Sequence, residues 1–130
     1  MSKFIKVSIL FCVVSVILGA FGAHLLKDLL SETELSSFKT GIRYQMFHGL
    51  AILILSLNSN KFTSKLKTSL LLMSIGTVLF SFSIYFLSID NLLSFSMKFL
   101  GPITPIGGTI LITSWIYLLL NVKNNDTTHI

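Results

Sequence analysis

Three stretches of this chain run for the thickness of a membrane without a formal charge. They are residues 7–26, 68–89 and 99–122, of 20, 22 and 24 residues. A 20-residue helix is about 30 Å long, which matches the hydrocarbon core of a bilayer. A soluble chain of 130 residues could not hide so much apolar surface: 52% of it is hydrophobic, 12% is charged, and the mean hydropathy is +0.82. An ordinary soluble domain carries about 25% charged residues. The expectation is an integral membrane protein.

A fourth apolar run, residues 44–57, has 14 residues and is short for a span. It becomes long enough when its helix starts earlier. Ser31-Glu32-Thr33-Glu34 reads as a capping box, with Ser31 as N-cap and Glu34 at N3. Leu35, Phe38, Ile42 and Met46 then recur at helical spacing. The helix either continues into the second span or breaks near Gly41. The expected fold is therefore all-α: one domain, residues 1–130, with four transmembrane helices at about 7–26, 41–57, 68–89 and 104–122. A short amphipathic helix at about 32–40 precedes span two, and the tail 123–130 is expected to fray. MSKFIK followed by an apolar run and GAFGA could also read as a leader with a small-residue cleavage site. The length of that run and the three hydrophobic segments after it favour a retained helix.

The net charge of +5 does not point to nucleic acid, because the basic residues stand singly at the ends of spans. The lone cysteine, Cys12, excludes an intrachain disulfide and a cysteine metal cluster. Four spans put both termini on one side with six Lys, against four Lys and Arg on the other, which favours cytoplasmic termini.

The spans carry polar and small residues in patterns. Ser15, Gly19, Gly22 and Ala23 lie on one face of span one, a small-residue surface for a close helix neighbour. Ser74, Thr77, Ser81, Tyr85 and Ser88 stripe span three, as interhelical glue or as the lining of a pathway. Thr104 is a natural N-cap for span four and Pro105 a natural first residue. Gly107 and Gly108 leave that first turn bare, fit either for an anion or for close packing.

Span two opens with the most unusual set. Gly41, Gln45, His48 and Ile52 share a face, and Arg43 lies roughly opposite Gln45. Arg43 can snorkel to headgroups while Gln45 and His48 point into the bundle. In the four-span arrangement His24, Arg43, Gln45, His48, Ser83, Tyr85, Thr104, Gly107 and Gly108 gather toward one membrane face. This polar layer is the candidate ligand site. No catalytic or metal-ligating set is expected, and no cofactor.

GAFGAH (19–24), TGIRYQMFHGLAI (40–52), GTVLFSFSIY (76–85) and TPIGG (104–108) with a later Trp115 occur in that order. Together they resemble a family of small four-helix membrane proteins of unknown function. It is the domain of unknown function 423 family, which includes bacterial YgdD and animal transmembrane protein 256. The resemblance covers nearly the whole chain, Gly76 included. It implies a protein of the bacterial plasma membrane and supplies no activity, substrate or catalytic residue. Where the family usually has a glycine, this chain has Phe82, which argues against close helix approach there.

Three function classes follow. A non-enzymatic bundle would scaffold or assemble with other membrane components, as a homo-oligomer or with a membrane-protein partner, in contact with membrane lipid. A binding or transport module would take a lipid headgroup, quinone or small anion at the polar layer. An enzyme would use His24 and His48 for acid–base or metal chemistry, but no carboxylate within the spans orients either imidazole.

Overall fold

The computed structural model describes residues 1–124 of the chain. Four long helices follow one another. Helix α1, Ser2–Leu26, is α-helical except for a π turn at Leu18–Gly22. Helix α2 is Glu32–Leu57. Helix α3, Leu66–Ser88, holds a second π turn at Val78–Phe82. Helix α4 is Ile103–Leu119, entered through a 3₁₀ turn at Lys98–Leu100. Further 3₁₀ turns at Ser59–Lys61 and Asp90–Leu92 lie in the connections. No strand forms among the described residues; Phe62 and Val122 make one isolated antiparallel bridge.

Ser2–Leu26, Leu66–Ser88 and Lys98–Leu119 are each long and apolar enough to cross a membrane. Helix α2 falls outside that set, because Arg43, Gln45 and His48 dilute its apolar content. Of the two forms that the sequence left open it takes the continuous one, so that 32–40 is no separate helix: its 26 residues run unbroken through Gly41. No residue there takes a positive φ and no proline intervenes. Gly41 serves packing instead. A Cβ at Gly41 would lie 2.6 Å from Cε1 of Tyr85, so the missing side chain lets the tyrosine ring lie on the α2 backbone. The start of α2 follows the capping box. The Ser31 hydroxyl accepts from the Glu34 amide at 3.2 Å and donates to Oε1 of Glu34 at 3.1 Å.

Each helix packs antiparallel on the next. Gly22 of α1 meets Phe38 of α2, while Phe11 meets Gly49. Gly41 of α2 meets Tyr85 of α3; Gly76 of α3 meets Leu111 of α4, and Gly107 of α4 meets Phe80. Two apolar clusters close the ends. Ala23, Phe38 and Tyr85 pack at the end of the α1–α2 connection. Phe11, Ile52, Leu55, Leu70, Met73 and Leu118, from all four helices, pack toward the opposite end.

The outward surface is apolar over a long stretch. Phe21 and Leu25 of α1 are 66% and 71% exposed, and Leu119 of α4 is 73% exposed. Such contiguous apolar surface suits lipid, not water. At the end holding Met1, the α2–α3 connection is tied to the chain after α4. The Thr63 amide donates to the Asn121 carbonyl, and the Thr63 hydroxyl donates to Oδ1 of Asn121, both at 3.0 Å. Lys123 donates from its amide to the Lys61 carbonyl and from Nζ to the Asn60 carbonyl. The tail expected to fray is therefore held at Lys123; residues 125–130 lie outside the described residues.

Candidate functional site

Gln45 is fully buried near the middle of α2. Its Nε2 donates to the Phe11 carbonyl of α1 at 2.9 Å. Its Oε1 accepts from the Tyr85 hydroxyl of α3 at 2.7 Å. One amide thus joins three helices with both ends satisfied, the arrangement that suits a buried polar group in a low dielectric. Toward the α2 start, the Ser81 hydroxyl donates to the Gly41 carbonyl at 2.8 Å. That oxygen gains a second partner across the gap the glycine leaves.

His48 lies one turn further along α2 and is buried. Its Nδ1 is 2.8 Å from the Tyr44 carbonyl, and its Nε2 is 3.0 Å from Nε1 of Trp115 in α4. A carbonyl only accepts and an indole N–H only donates. The pairing assigns the proton to Nδ1 and leaves Nε2 as acceptor, so both ring nitrogens are used. Ser83 of α3 and Thr104 of α4 share a hydroxyl–hydroxyl bond of 2.6 Å.

These pairs do not form a flat layer at one membrane face, as the sequence suggested. They form a column. It descends from Ser83–Thr104, past Gly41–Ser81 and Tyr85–Gln45–Phe11, to His48–Trp115. From Gly41 to His48 alone the helix rises about 10 Å. The difference arises because Tyr85 reaches along the bundle axis and because Trp115 sits near the far end of α4.

Some expected members stand elsewhere. His24 and Arg43 are exposed, and neither makes a side-chain hydrogen bond or ion pair with another described residue. His24 also lies far from His48 along the bundle. It follows the Gly22–Phe38 contact, whereas His48 neighbours the Gly49–Phe11 contact, a separation of about 15 Å along α2. The α4 start differs as well. The helix begins at Ile103 with Pro102, which has no side-chain acceptor, at the cap position; Thr104 lies within the first turn and its hydroxyl pairs with Ser83. Gly107 is buried under the π turn of α3, with no room for a Cβ against the Phe80 nitrogen. Close packing, not an anion, accounts for that bare turn. Gly108 is half-buried beside the Phe80 ring.

On α1, Ser15 and Ala23 are buried, Gly22 is half-buried and Gly19 is exposed. The tightest α1–α2 approach is set from the α2 side. A Cβ at Gly49 would lie 3.0 Å from Cys12 Sγ and 3.3 Å from the Ser8 carbonyl oxygen. Gly76 performs the same service for Leu111, 2.9 Å from its would-be Cβ. Phe82 packs edge-on to Tyr85 at 5.5 Å, and the close approach on that helix falls instead at Gly76 and at the Phe80 backbone.

Two side clefts flank the column. One, of about 280 Å³, lies between Tyr44, His48 and Phe80 on one side and Gly108, Leu111 and Trp115 on the other. A second, of about 310 Å³, continues past Trp115 along Phe47, Leu50 and Ile54. A third, of about 370 Å³, sits at the start of α2 among Thr33, Glu34, Ser37, Ser88 and Thr104. No group of three or more His, Cys, Asp or Glu among the described residues could hold a metal ion.

Two partners in the column escape sequence reasoning. The Phe11 carbonyl is backbone and carries no residue signature. Trp115 was visible only as a motif member, although an indole N–H inside a span needs an acceptor, and imidazole is one of few within reach.

Residues 18–108 match the model of a family described as a protein of unknown function, DUF423. The chain belongs to this family. Among its relatives is a UPF0382 membrane protein of Staphylococcus epidermidis, 38% identical over 120 residues, covering 92% of this chain and 94% of that protein. The UPF0382 membrane protein YwdK of Bacillus subtilis is 35% identical over 92% of this chain and 95% of its own length. The UPF0382 inner membrane protein YgdD of Escherichia coli is 35% identical over 88% of this chain and 86% of its own. No solved structure matches. The family is one of membrane proteins, which fits the apolar outer surface.

Proposed function

We propose that the protein is a non-enzymatic, four-span helical bundle of the bacterial plasma membrane that assembles with other membrane components. Helix α2 is the fourth span. It packs antiparallel between α1 and α3, so it lies in whatever medium they occupy, and Gln45 and His48 are turned inward while Arg43 faces outward. Cytoplasmic termini follow from the Lys and Arg distribution.

The single observation behind this reading is that every polar side chain of the column already has a partner within the protein. Gln45 uses both ends of its amide, and His48 uses both ring nitrogens. A ligand site would leave such groups free to meet a ligand. In lipid, where apolar contact between helices adds little, interhelical hydrogen bonds and glycine-mediated approach hold a bundle together. The outer surface then remains as the place for interaction. The alternative reading, a small binding or transport module, draws on the cleft that reaches His48 and Trp115.

Photo-crosslinking in intact membranes tests the proposal. A diazirine-bearing residue at Phe21, exposed on α1, should give discrete adducts with membrane proteins. Adducts with lipid alone, from this position and from Ile116 on α4, would count against an assembly role.

A further inference from the structure

Helices α2 and α4 touch through His48 and Trp115 but otherwise stand apart, because α4 packs on α3. The two clefts described above meet at Trp115 and together form a lateral groove. Phe47, Leu50 and Ile54 line its lower part and are 59%, 44% and 59% exposed. Arg43 continues that stripe one turn above Phe47: positions 43, 47, 50 and 54 fall at helical spacings of four, three and four.

Arg43 is the odd member. It is exposed and has no charge or acceptor partner among the described residues. It stands about 21 Å along α2 from Leu57, less than the ~30 Å of hydrocarbon a spanning helix must cross. A guanidinium starting from that depth escapes the cost of burial by snorkelling toward the interface, where a lipid phosphate is the nearest anion. The groove below it is apolar, runs with the helix axis and opens to the bilayer.

We infer that this groove holds one phospholipid of net negative charge. Its phosphate pairs with Arg43 in the bidentate manner that guanidinium favours, and an acyl chain lies over Phe47, Leu50 and Ile54 beside Trp115. A zwitterionic lipid offers the same chain but compensates its own phosphate with an ammonium group. The headgroup at Arg43 therefore sets the preference. This inference rests on α2 crossing the bilayer beside α4 and goes beyond the bundle's assembly role. It makes no use of the bonds within the polar column.

Trp115 is the sole tryptophan of the chain and is 44% exposed within this groove. It is therefore a site-specific probe. The full-length protein is reconstituted in phosphatidylcholine bilayers carrying equal small fractions of either brominated phosphatidylglycerol or brominated phosphatidylcholine, and Trp115 fluorescence quenching is read. Phosphatidylglycerol should show about a fivefold higher relative binding constant at Trp115. Arg43→Gln should abolish the difference and Arg43→Lys should retain part of it. Both variants should fold, because the Arg43 side chain makes no internal hydrogen bond. Equal quenching by the two lipids in the unmodified protein overturns the headgroup assignment, as does a preference that survives Arg43→Gln. Quenching by neither lipid overturns the inference differently: the groove is covered by a second copy or another protein, or it does not face the bilayer.

Discussion

Gly107 and Gly108 are adjacent in the chain and opposite in their surroundings. Gly107 abuts the backbone of α3, which cannot yield as a side chain can, while a Cβ at Gly108 would sit in ordinary contact, 3.6 Å from Phe80 Cδ2. Gly107→Ala should lower stability by about 1–3 kcal/mol through overpacking. Gly108→Ala should be neutral or add up to about 1 kcal/mol from helix propensity. Unfolding in detergent followed by circular dichroism separates the two. Tyr85→Phe removes one hydroxyl and leaves Gln45 Oε1 buried without a partner. It should cost about 1–2 kcal/mol while the ring keeps its packing on Phe38 and Gly41. Much at this scale was legible in the sequence. Spacing placed Gly41, Gln45, His48 and Ile52 on one face, and all four are buried; Arg43 fell on another face, and it is exposed. The partner atoms were not legible, because a helical pattern says which way a side chain points and not what it meets. For Gln45 one answer is a carbonyl 34 residues away in sequence.

Among the elements, the start of α2 was readable from four residues because a capping box is local chemistry. Ser31→Ala should cost about 1 kcal/mol, seen as faster amide exchange at Thr33, Glu34 and Leu35 and little change beyond the next turn. Its continuity through Gly41 was not readable. A glycine in a helix can mark a break or a close neighbour, and the tyrosine that decides the matter is on another helix. The π turns were likewise invisible. A π turn holds one residue more than an α turn and has no composition of its own. It does have a consequence for deletions. Removing Leu79, inside Val78–Phe82, should convert the π turn to a regular turn and keep Tyr85 facing Gln45. Removing Leu72, in the regular part of α3, turns everything beyond it by about 100° relative to the preceding segment. The first variant should remain folded in detergent and the second should not; similar stability for both would contradict the role given to the π turn.

For the whole molecule, hydropathy set the fold class and three of the helices, since a bilayer demands long uncharged runs. It was least informative for α2, where two of the polar residues that lower its apolar content, Gln45 and His48, are the ones that bind it to its neighbours. The four-span topology predicts opposite accessibility for the connections on either side of α2. In a Cys12→Ser background, Asp28→Cys, before α2, should react with a membrane-impermeant maleimide in intact cells, and Asn60→Cys, after it, only after lysis. Labelling of both from outside would exclude α2 as a span. Beyond topology stands the question of whether the polar column is filled by the protein's own bonds. The most direct measurement is native mass spectrometry of the gently extracted protein, beside Tyr85→Phe and Gln45→Leu. A closed column predicts that any retained mass is lipid held in the same amount by all three proteins. A discrete small-molecule mass that is stoichiometric in the unmodified protein and lost from both variants would contradict it and make the column a ligand site.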